Sequence, residues 1–263
     1  MRIDLTGLHF AYPSGVVALQ GITLQIAPGE RVAIVGQNGS GKTTLARHLN
    51  GLLKPTRGTV QIGDWTTADY SVARLARRVG YVFQNPDEQL CKRTVRDEVA
   101  FGAITLGFAS ERVARQVDGA LARLKLEPFA AVNPHDLSSA WRRRVAIASV
   151  MAMDTPVIVL DEPTTGQDQR FQALLADLLT EWQEMGKTVI TISHDMDFVA
   201  EQFERVIVMG QGQVLLDGPP PAVFKETAIL ATTFLQPPQL TRLAIELGLP
   251  GPACTEADFL CCF

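Results

Sequence analysis

Cysteine is scarce in this chain, with four among 263 residues. Cys91, Cys254, Cys261 and Cys262 show neither paired CxxC spacing nor a disulfide framework, so they read as incidental thiols in a reducing compartment. The closing "LCCF" does not place a cysteine where a prenylation box needs one. Long apolar runs are missing too: none approaches the length of a membrane-spanning helix, and "MRIDLTGLHF" lacks the apolar core of a signal peptide. These absences predict a cytosolic protein. Basic blocks are also lacking. With a formal net charge of -4 and only "RRR" at 142–144 as a local cluster, the chain carries no nucleic-acid footprint, and a phosphate ligand would need a local pocket. Low-complexity segments and internal repeats do not occur.

Hydrophobic residues make up 46% of the chain, enough for a substantial core. The first sixty residues hold short β-rich runs, "RIDLTGLHF", "ITLQI", "RVAIVG" and "GTVQIG", separated by Gly and Pro. From Ser71 the pattern changes. "SVARLARRV", "TVRDEVAFGAITLGF" and "SERVARQVDGALARLKL" read as helices, the last with a Ser N-cap. Later, "PVIVLD", "KTVITISHD" and "RVIVMGQGQVLLDG" flank the helical "RFQALLADLLTEWQEMG", the pattern of a parallel sheet covered on both faces. The prolines of "DGPPPAVF" predict a turn, and the tail from Thr227 onward one helix, "QLTRLAIELG".

The strongest chemical signal is "GQNGSGKTT", Gly36 to Thr44, placed directly after an apolar strand and directly before a helix. It fits GxxxxGK[ST] in its required context. Gly36, Asn38 and Thr44 belong to the loop, in which the amides of Gly39, Ser40, Gly41 and Lys42 would point at phosphate oxygens, helped by the positive end of the helix. Lys42 would reach the β- and γ-phosphates, and the Thr43 hydroxyl would bind Mg²⁺. "VIVLDEP" ends an apolar strand in two carboxylates at the sheet edge where α/β ligands bind. Asp161 would hold Mg²⁺, directly or through water, and Glu162 would polarise the attacking water. Alone, such a strand end is often merely solvated; beside a phosphate loop it gains meaning.

Over residues 2 to 225 these motifs, in this order, resemble the nucleotide-binding subunits of ATP-binding-cassette (ABC) transporters. The resemblance implies an α/β fold: a P-loop NTPase core with a mixed sheet and an N-terminal antiparallel β subdomain. It further implies an ATPase domain over 1–225 with a helical subdomain inserted at about 86–153, and a C-terminal extension over 226–263. ATP and Mg²⁺ are the implied cofactors. Tyr12 would stack on adenine, Gln84 would sense Mg²⁺ and the membrane subunit, Asp168 would contact the partner, and His194 would contact the γ-phosphate. Individually, Tyr12 also reads as a packed aromatic, Gln84 as a loop amide and His194 as a satisfied histidine at a strand end. "VGYVFQNPDEQL", "TVRDEVAFG" and "DEPTTGQD" look most like ATPase subunits of energy-coupling-factor transporters, which take up vitamins or cobalt and nickel ions. That resemblance implies a second ATPase subunit, a transmembrane coupling subunit docked on the Gln84 loop near Asp87 and Glu88, and a substrate-capturing membrane protein, all at the cytoplasmic face of the membrane. The "QPPQLTRLA" tail resembles an extension that joins two ATPase subunits.

At 137–141 the family's usual Leu-Ser-Gly-Gly-Gln is replaced by "LSSAW". The resemblance implies that Ser138 reaches ATP bound by a partner subunit; on its own, Ser138 or Ser139 could simply cap the helix from about Trp141 to Met153. Each new Cβ limits backbone freedom and close approach to phosphate, and the Trp141 indole is a lone donor of greater bulk. Lys42, Thr43, Asp161, Glu162 and His194 all remain, so the change falls on what the chain offers its partner. That favours a heterodimer over a homodimer. Arg142, Arg143 and Arg144 read as a partly solvated face. Two rival functions stay open: an ATP-clamping subunit that hydrolyses little, and a soluble cassette ATPase outside transport.

Overall fold

The computed structural model describes residues 1–249 and 253–260. Cys261 and Cys262, and parts of the expected 226–263 extension, lie outside the described residues. Three strands open the chain: β1 (Ile3–Ala11), β2 (Val17–Ile26) and β3 (Arg31–Val35). Helix α1 (Lys42–Leu49) precedes β4 (Arg57–Ile62), the short β5 (Trp65–Thr66), α2 (Val72–Leu75) and β6 (Val79–Val82). Then come the helices α3 (Val95–Thr105), α4 (Ser110–Arg123) and α5 (Ser139–Ala152). Strand β7 (Val157–Asp161), α6 (Gln169–Glu184), β8 (Thr188–Ile192), α7 (Met196–Gln202), β9 (Arg205–Gly210) and β10 (Gln213–Gly218) complete the core. The chain continues through α8 (Pro220–Phe224), α9 (Thr227–Thr232), α10 (Gln239–Glu246) and α11 (Glu256–Leu260).

The strands form two sheets. One is antiparallel, in the order β2-β1-β4-β5. The other runs β10-β9-β3-β8-β7-β6, parallel from β9 to β6 with β10 antiparallel at its edge. Successive side chains of a strand point to opposite faces, and here both faces are covered. Val32 and Ile34 of β3, with Val157 and Val159 of β7, join the core beneath the antiparallel sheet. Ala33, Val35, Ile158 and Leu160 join the core built with α5, α6 and α7. Burial on both faces explains why these strands read as unbroken apolar runs. Helices α3, α4 and α5 pack on one another through residues such as Val99, Leu121 and Val145, all buried.

Four local expectations are corrected. The helix expected over "SVARLARRV" is a single turn, α2, because Val79 already pairs with Val157 in the parallel sheet; pairing overrides propensity. Ser110 is the first residue of α4 and Ala109 its N-cap. The proline turn is instead the start of α8, where Pro220 sits in the first turn and has no hydrogen bond to lose. The tail holds α9, α10 and α11 among the described residues, rather than one helix. It is docked: the Gln239 amide donates to Asp197 Oδ1 at 2.7 Å, and Cys254 is buried in the main core. Among the described residues no helix is long and apolar enough to cross a membrane.

Candidate active site

The site follows from strand order. β3, β8, β7 and β6 are parallel neighbours, so their carboxyl ends lie in a row about 5 Å apart. From that row emerge the glycine loop after Val35, His194 after Ile192, the pair Asp161 and Glu162, and Gln84 after Val82. Residues distant in sequence thereby meet along one edge.

Two glycines in the loop are sterically required. Gly36 has φ 153°, and a Cβ there would run into the Met209 carbonyl and the Ser40 hydroxyl. Gly41, the N-cap of α1, has φ 104°, and its Cβ would sit 2.7 Å from the Ala18 carbonyl oxygen. No side chain caps α1, so its first-turn amides keep their donors for a ligand. Lys42 is buried, and its Nζ donates to the Gly36 and Gln37 carbonyls at 2.6 and 2.9 Å. An ammonium has three donors, so one remains. Burial lowers the Lys42 pKa, opposed by the nearby charges of Glu162 and Asp161.

Asp161 lies at the floor of the site, 1% exposed. Thr43 Oγ1 donates to its Oδ1 at 3.4 Å and the Tyr81 hydroxyl to its Oδ2 at 2.9 Å. Burial pushes the Asp161 pKa up, and the Tyr81 and Thr43 hydrogen bonds pull against that. Glu162, also buried, has φ 53°, a left-handed conformation rare for a residue with a side chain. It is fixed from both sides: its amide donates to the Ile192 carbonyl at 2.9 Å, and its carbonyl accepts from Arg143 Nη1 at 2.9 Å. Oε2 accepts from Thr165 Oγ1 at 3.2 Å. His194 Nε2 lies 3.0 Å from Oε1, and Oε1 accepts no directed hydrogen bond among the described residues, so it keeps acceptor capacity.

A cleft of about 390 Å³ gathers Tyr12, Asn38, Gly39, Gly41, Lys42, Thr43, Thr44, Gln84, Glu162 and His194. Gly36, Ser40 and Asp161 belong to its supporting layer; Ser40 Oγ is buried without a partner within the described chain. Tyr12 hydrogen-bonds through its hydroxyl to Thr44 Oγ1 at 2.9 Å and meets Phe10 edge-on, while Val16 and Val17, 60% and 57% exposed, extend this apolar rim. The chemistry fits a magnesium nucleotide: a glycine cradle that a Cβ would fill, a buried hydroxyl lacking a partner, and oxygen donors on Thr43, Asp161 and Gln84 of the hard type Mg²⁺ takes.

Ser138 is not in this cleft. It is the exposed N-cap of α5, and its side chain makes no capping hydrogen bond. Ser139 and Ala140 are helical, and neither has a positive φ. The expected loss of backbone freedom therefore costs nothing here, since this helix start does not need glycine. Asp168 caps α6, accepting from the Phe171 amide at 2.8 Å. Asp87 faces Arg142 at 2.7 Å, and Glu88 faces Arg47 at 3.5 Å.

The solvated reading of 142–144 is corrected at Arg143, which is 5% exposed. Its Nη2 also donates to the Gln84 carbonyl at 2.7 Å. Tyr81, Thr165 and Arg143 are the contacts that sequence reasoning missed. Arg143 alone left a signal, since it shares helical spacing with Ile147 and Val150, both buried. Beside the Gln84 loop runs a second, apolar groove of about 280 Å³, bordered by Leu52, Val72, Phe83, Phe101 and Leu106 with Gln89 and Glu98.

Strand, glycine loop and helix, with paired acids at the end of β7 one strand removed, define a P-loop nucleotide-binding domain of mixed α/β architecture. The ABC transporter family profile matches residues 19–165, and the chain belongs to that family, as one of its ATP-binding domains. Energy-coupling factor transporter ATP-binding protein EcfA of Methanothermobacter thermautotrophicus is 39% identical over 95% of this chain and 81% of its own length. CbiO1 from Clostridium perfringens, described as part of the ABC transporter complex cbiONQ, superposes with a TM-score of 0.76 at 37% identity, covering 94% of this chain and 98% of that one. The ATP-binding cassette MJ0796, a dimer bound to ADP and Pi, gives 0.76 at 30% identity over 82% of this chain and 98% of its own. Other curated relatives are longer: the chain spans 40–43% of the length of three that it matches at 42–44% identity.

Proposed function

We propose that this chain binds and hydrolyses ATP with Mg²⁺, energising an importer of the energy-coupling-factor type that takes up vitamins or transition-metal ions. One observation carries the reading: four parallel strand ends bring the glycine loop, His194, Asp161 with Glu162, and Gln84 to one cleft. The kinship with EcfA and CbiO1 supports the transport role.

Each residue then has a task. Loop amides and the remaining Lys42 donor hold the phosphates, and Tyr12 with Val16 and Val17 offers a face for the base. Thr43, Asp161 and Gln84 would hold Mg²⁺, which neutralises phosphate charge when bound. Glu162 Oε1, with its acceptor capacity free, takes the proton of the attacking water. His194 borders both that oxygen and the cleft, and orients the γ-phosphoryl group. At the cytoplasmic face of the membrane, the apolar groove beside Gln84 receives the transmembrane coupling subunit, which in turn serves a substrate-capturing membrane protein. Nucleic acid has no part in this reading.

The exposed start of α5 favours a second statement. Ser138 is exposed outside the chain's own cleft, and its side chain makes no capping hydrogen bond, which leaves it available for a contact to a partner's nucleotide. With Ser139 and Ala140 in the helix beside it, that contact is weaker than a glycine pair would allow, which favours a heterodimer with a second ATPase subunit. The ATPase domain over 1–225 and the extension over 226–263 divide the work in this reading, the extension helping to join the two subunits.

Glu162→Gln tests the hydrolytic role. Affinity for ATP should stay close to wild type while turnover in the assembled complex falls by about 10²- to 10⁴-fold, the usual weight of a general base. Equal turnover in the two proteins would overturn it.

A further inference from the structure

Arg143 carries a charge into the protein without the ion pairs that usually justify one. Its guanidinium makes no salt bridge within 4 Å among the described residues, and its Nε is buried without a hydrogen-bond partner. Removing a cation from water is expensive. Its two bonds both go to backbone carbonyls, and both are at the candidate active site: Glu162 O at 2.9 Å and Gln84 O at 2.7 Å. These carbonyls belong to two separate strand ends, and only the planar fork of an arginine spans them with fixed geometry. We infer that Arg143 is a positioning residue, whose guanidinium locks the Glu162 and Gln84 backbones to α5 and so makes the attitude of α5 set the geometry of the chain's own site.

Four further contacts make the linkage mechanical. Gln89 donates from Nε2 to the Ala146 carbonyl and Ser149 Oγ, each at 2.9 Å, and its Oε1 accepts from the Phe83 amide at 3.2 Å. Asp87 pairs with Arg142 at 2.7 Å. The segment 83–89 is thus fastened along α5 at successive turns. Glu162 in turn needs an external clamp, because a left-handed non-glycine residue persists only where its surroundings over-determine it. The Ile192 carbonyl clamps its amide side and Arg143 its carbonyl side. Helix α5 begins at Ser138, the residue read above as facing a partner's nucleotide. A tilt of α5 imposed there reaches Arg143, five positions on, and through it both Glu162 and Gln84. The two half-sites of a dimer would communicate through one buried side chain.

The inference rests on the hydrolytic reading only for its kinetic consequence, so it is tested in two ways on the full chain. Amide hydrogen exchange is followed over 83–90 and 161–166 in wild type, Arg143→Gln and Arg143→Lys without nucleotide. Arg143→Gln should speed exchange in both segments by about tenfold or more while β3 and β8 keep their protection. In the assembled complex its kcat should fall between about tenfold and a hundredfold, as expected for misplacing a catalytic group, with KM for ATP unchanged. Arg143→Lys, which keeps a donor but not the fork, should fall between the two. Unchanged exchange in both segments overturns the inference, as does a KM that rises while kcat holds. Should Arg143→Gln loosen the whole chain, Arg143→Lys decides on the same criteria. A wild type that hydrolyses nothing would sink the hydrolytic reading instead, and exchange alone would then judge the clamp.

Discussion

The ring of Trp141 lies against that of Phe129, centroids 4.7 Å apart and planes at 54°, with the Arg144 guanidinium 4.5 Å from the indole centroid. The residue that stands where the family's usual signature has glutamine is therefore a packing residue of this chain. Its bulk is directed into the chain's own structure, where it joins the edge of the main core. Trp141→Gln should accordingly lower stability by about 1–2 kcal/mol, through lost aromatic and cation–π contact at a half-buried site. Urea denaturation would show this as a lower midpoint with an unchanged slope; an unchanged midpoint would mean the indole contributes nothing where it lies.

Most of the site could be read from the sequence because its signals are local. A glycine loop between an apolar strand and a helix, or two acids ending a strand, needs only neighbours in the chain. Arg143 was misread because its meaning is long-range: a run of three arginines looks solvated until Gln84 and Glu162 arrive from other strands. Asp87 is exposed, as its loop position suggests, and its pairing with Arg142 is the long-range contact that the sequence does not show. The extra tail helices α9 and α11 escaped because short elements have too few residues to show a period, whereas α2 was drawn too long because the pairing of Val79 with Val157 is invisible locally. Ser139 and Ala140 make the opposite case. Their replacement of glycine suggested a loss of needed backbone freedom, whereas a helix start accepts any residue of negative φ.

On the proposed role in transport, docking is tested more cleanly at the apolar groove than at Asp87 and Glu88. Asp87 and Glu88 both face arginines of this chain, so reversing their charge would disturb internal contacts along with any docking. Val72 and Phe101 border the groove and are 41% and 42% exposed. Phe101→Asp and Val72→Asp should leave ATP affinity of the chain unchanged and reduce its recovery with the transmembrane subunit by about tenfold or more, since each places a charge in an apolar contact. Co-purification and nucleotide titration on the same preparations would separate these effects. Full recovery of the complex with both variants would move the docking face elsewhere.

Ser139 and Ala140 make the test of asymmetry cleaner than the whole triplet would. Trp141 contributes packing, so changing it mixes stability with contact. Ser139→Gly with Ala140→Gly alters only side chains at the exposed start of α5, although two glycines in a helix cost about 1 kcal/mol each relative to alanine. That loss would appear in a denaturation midpoint and can be subtracted. The kinetic effect has the opposite sign. A charge-assisted hydrogen bond to phosphate contributes about 1.5–3 kcal/mol, which at about 1.4 kcal/mol per decade is roughly ten- to a hundredfold in rate. The double variant, combined with Glu162→Gln in the same chain and paired with a second ATPase subunit that retains its own catalytic glutamate, should therefore hydrolyse ATP faster than Glu162→Gln alone. The remaining activity reports on the partner's phosphate loop facing Ser138, because this chain has lost its base. A rate that does not rise, in a complex shown to be assembled, would mean that "LSSAW" contacts phosphate as well as the usual signature does, and the argument for unequal sites would fall with it.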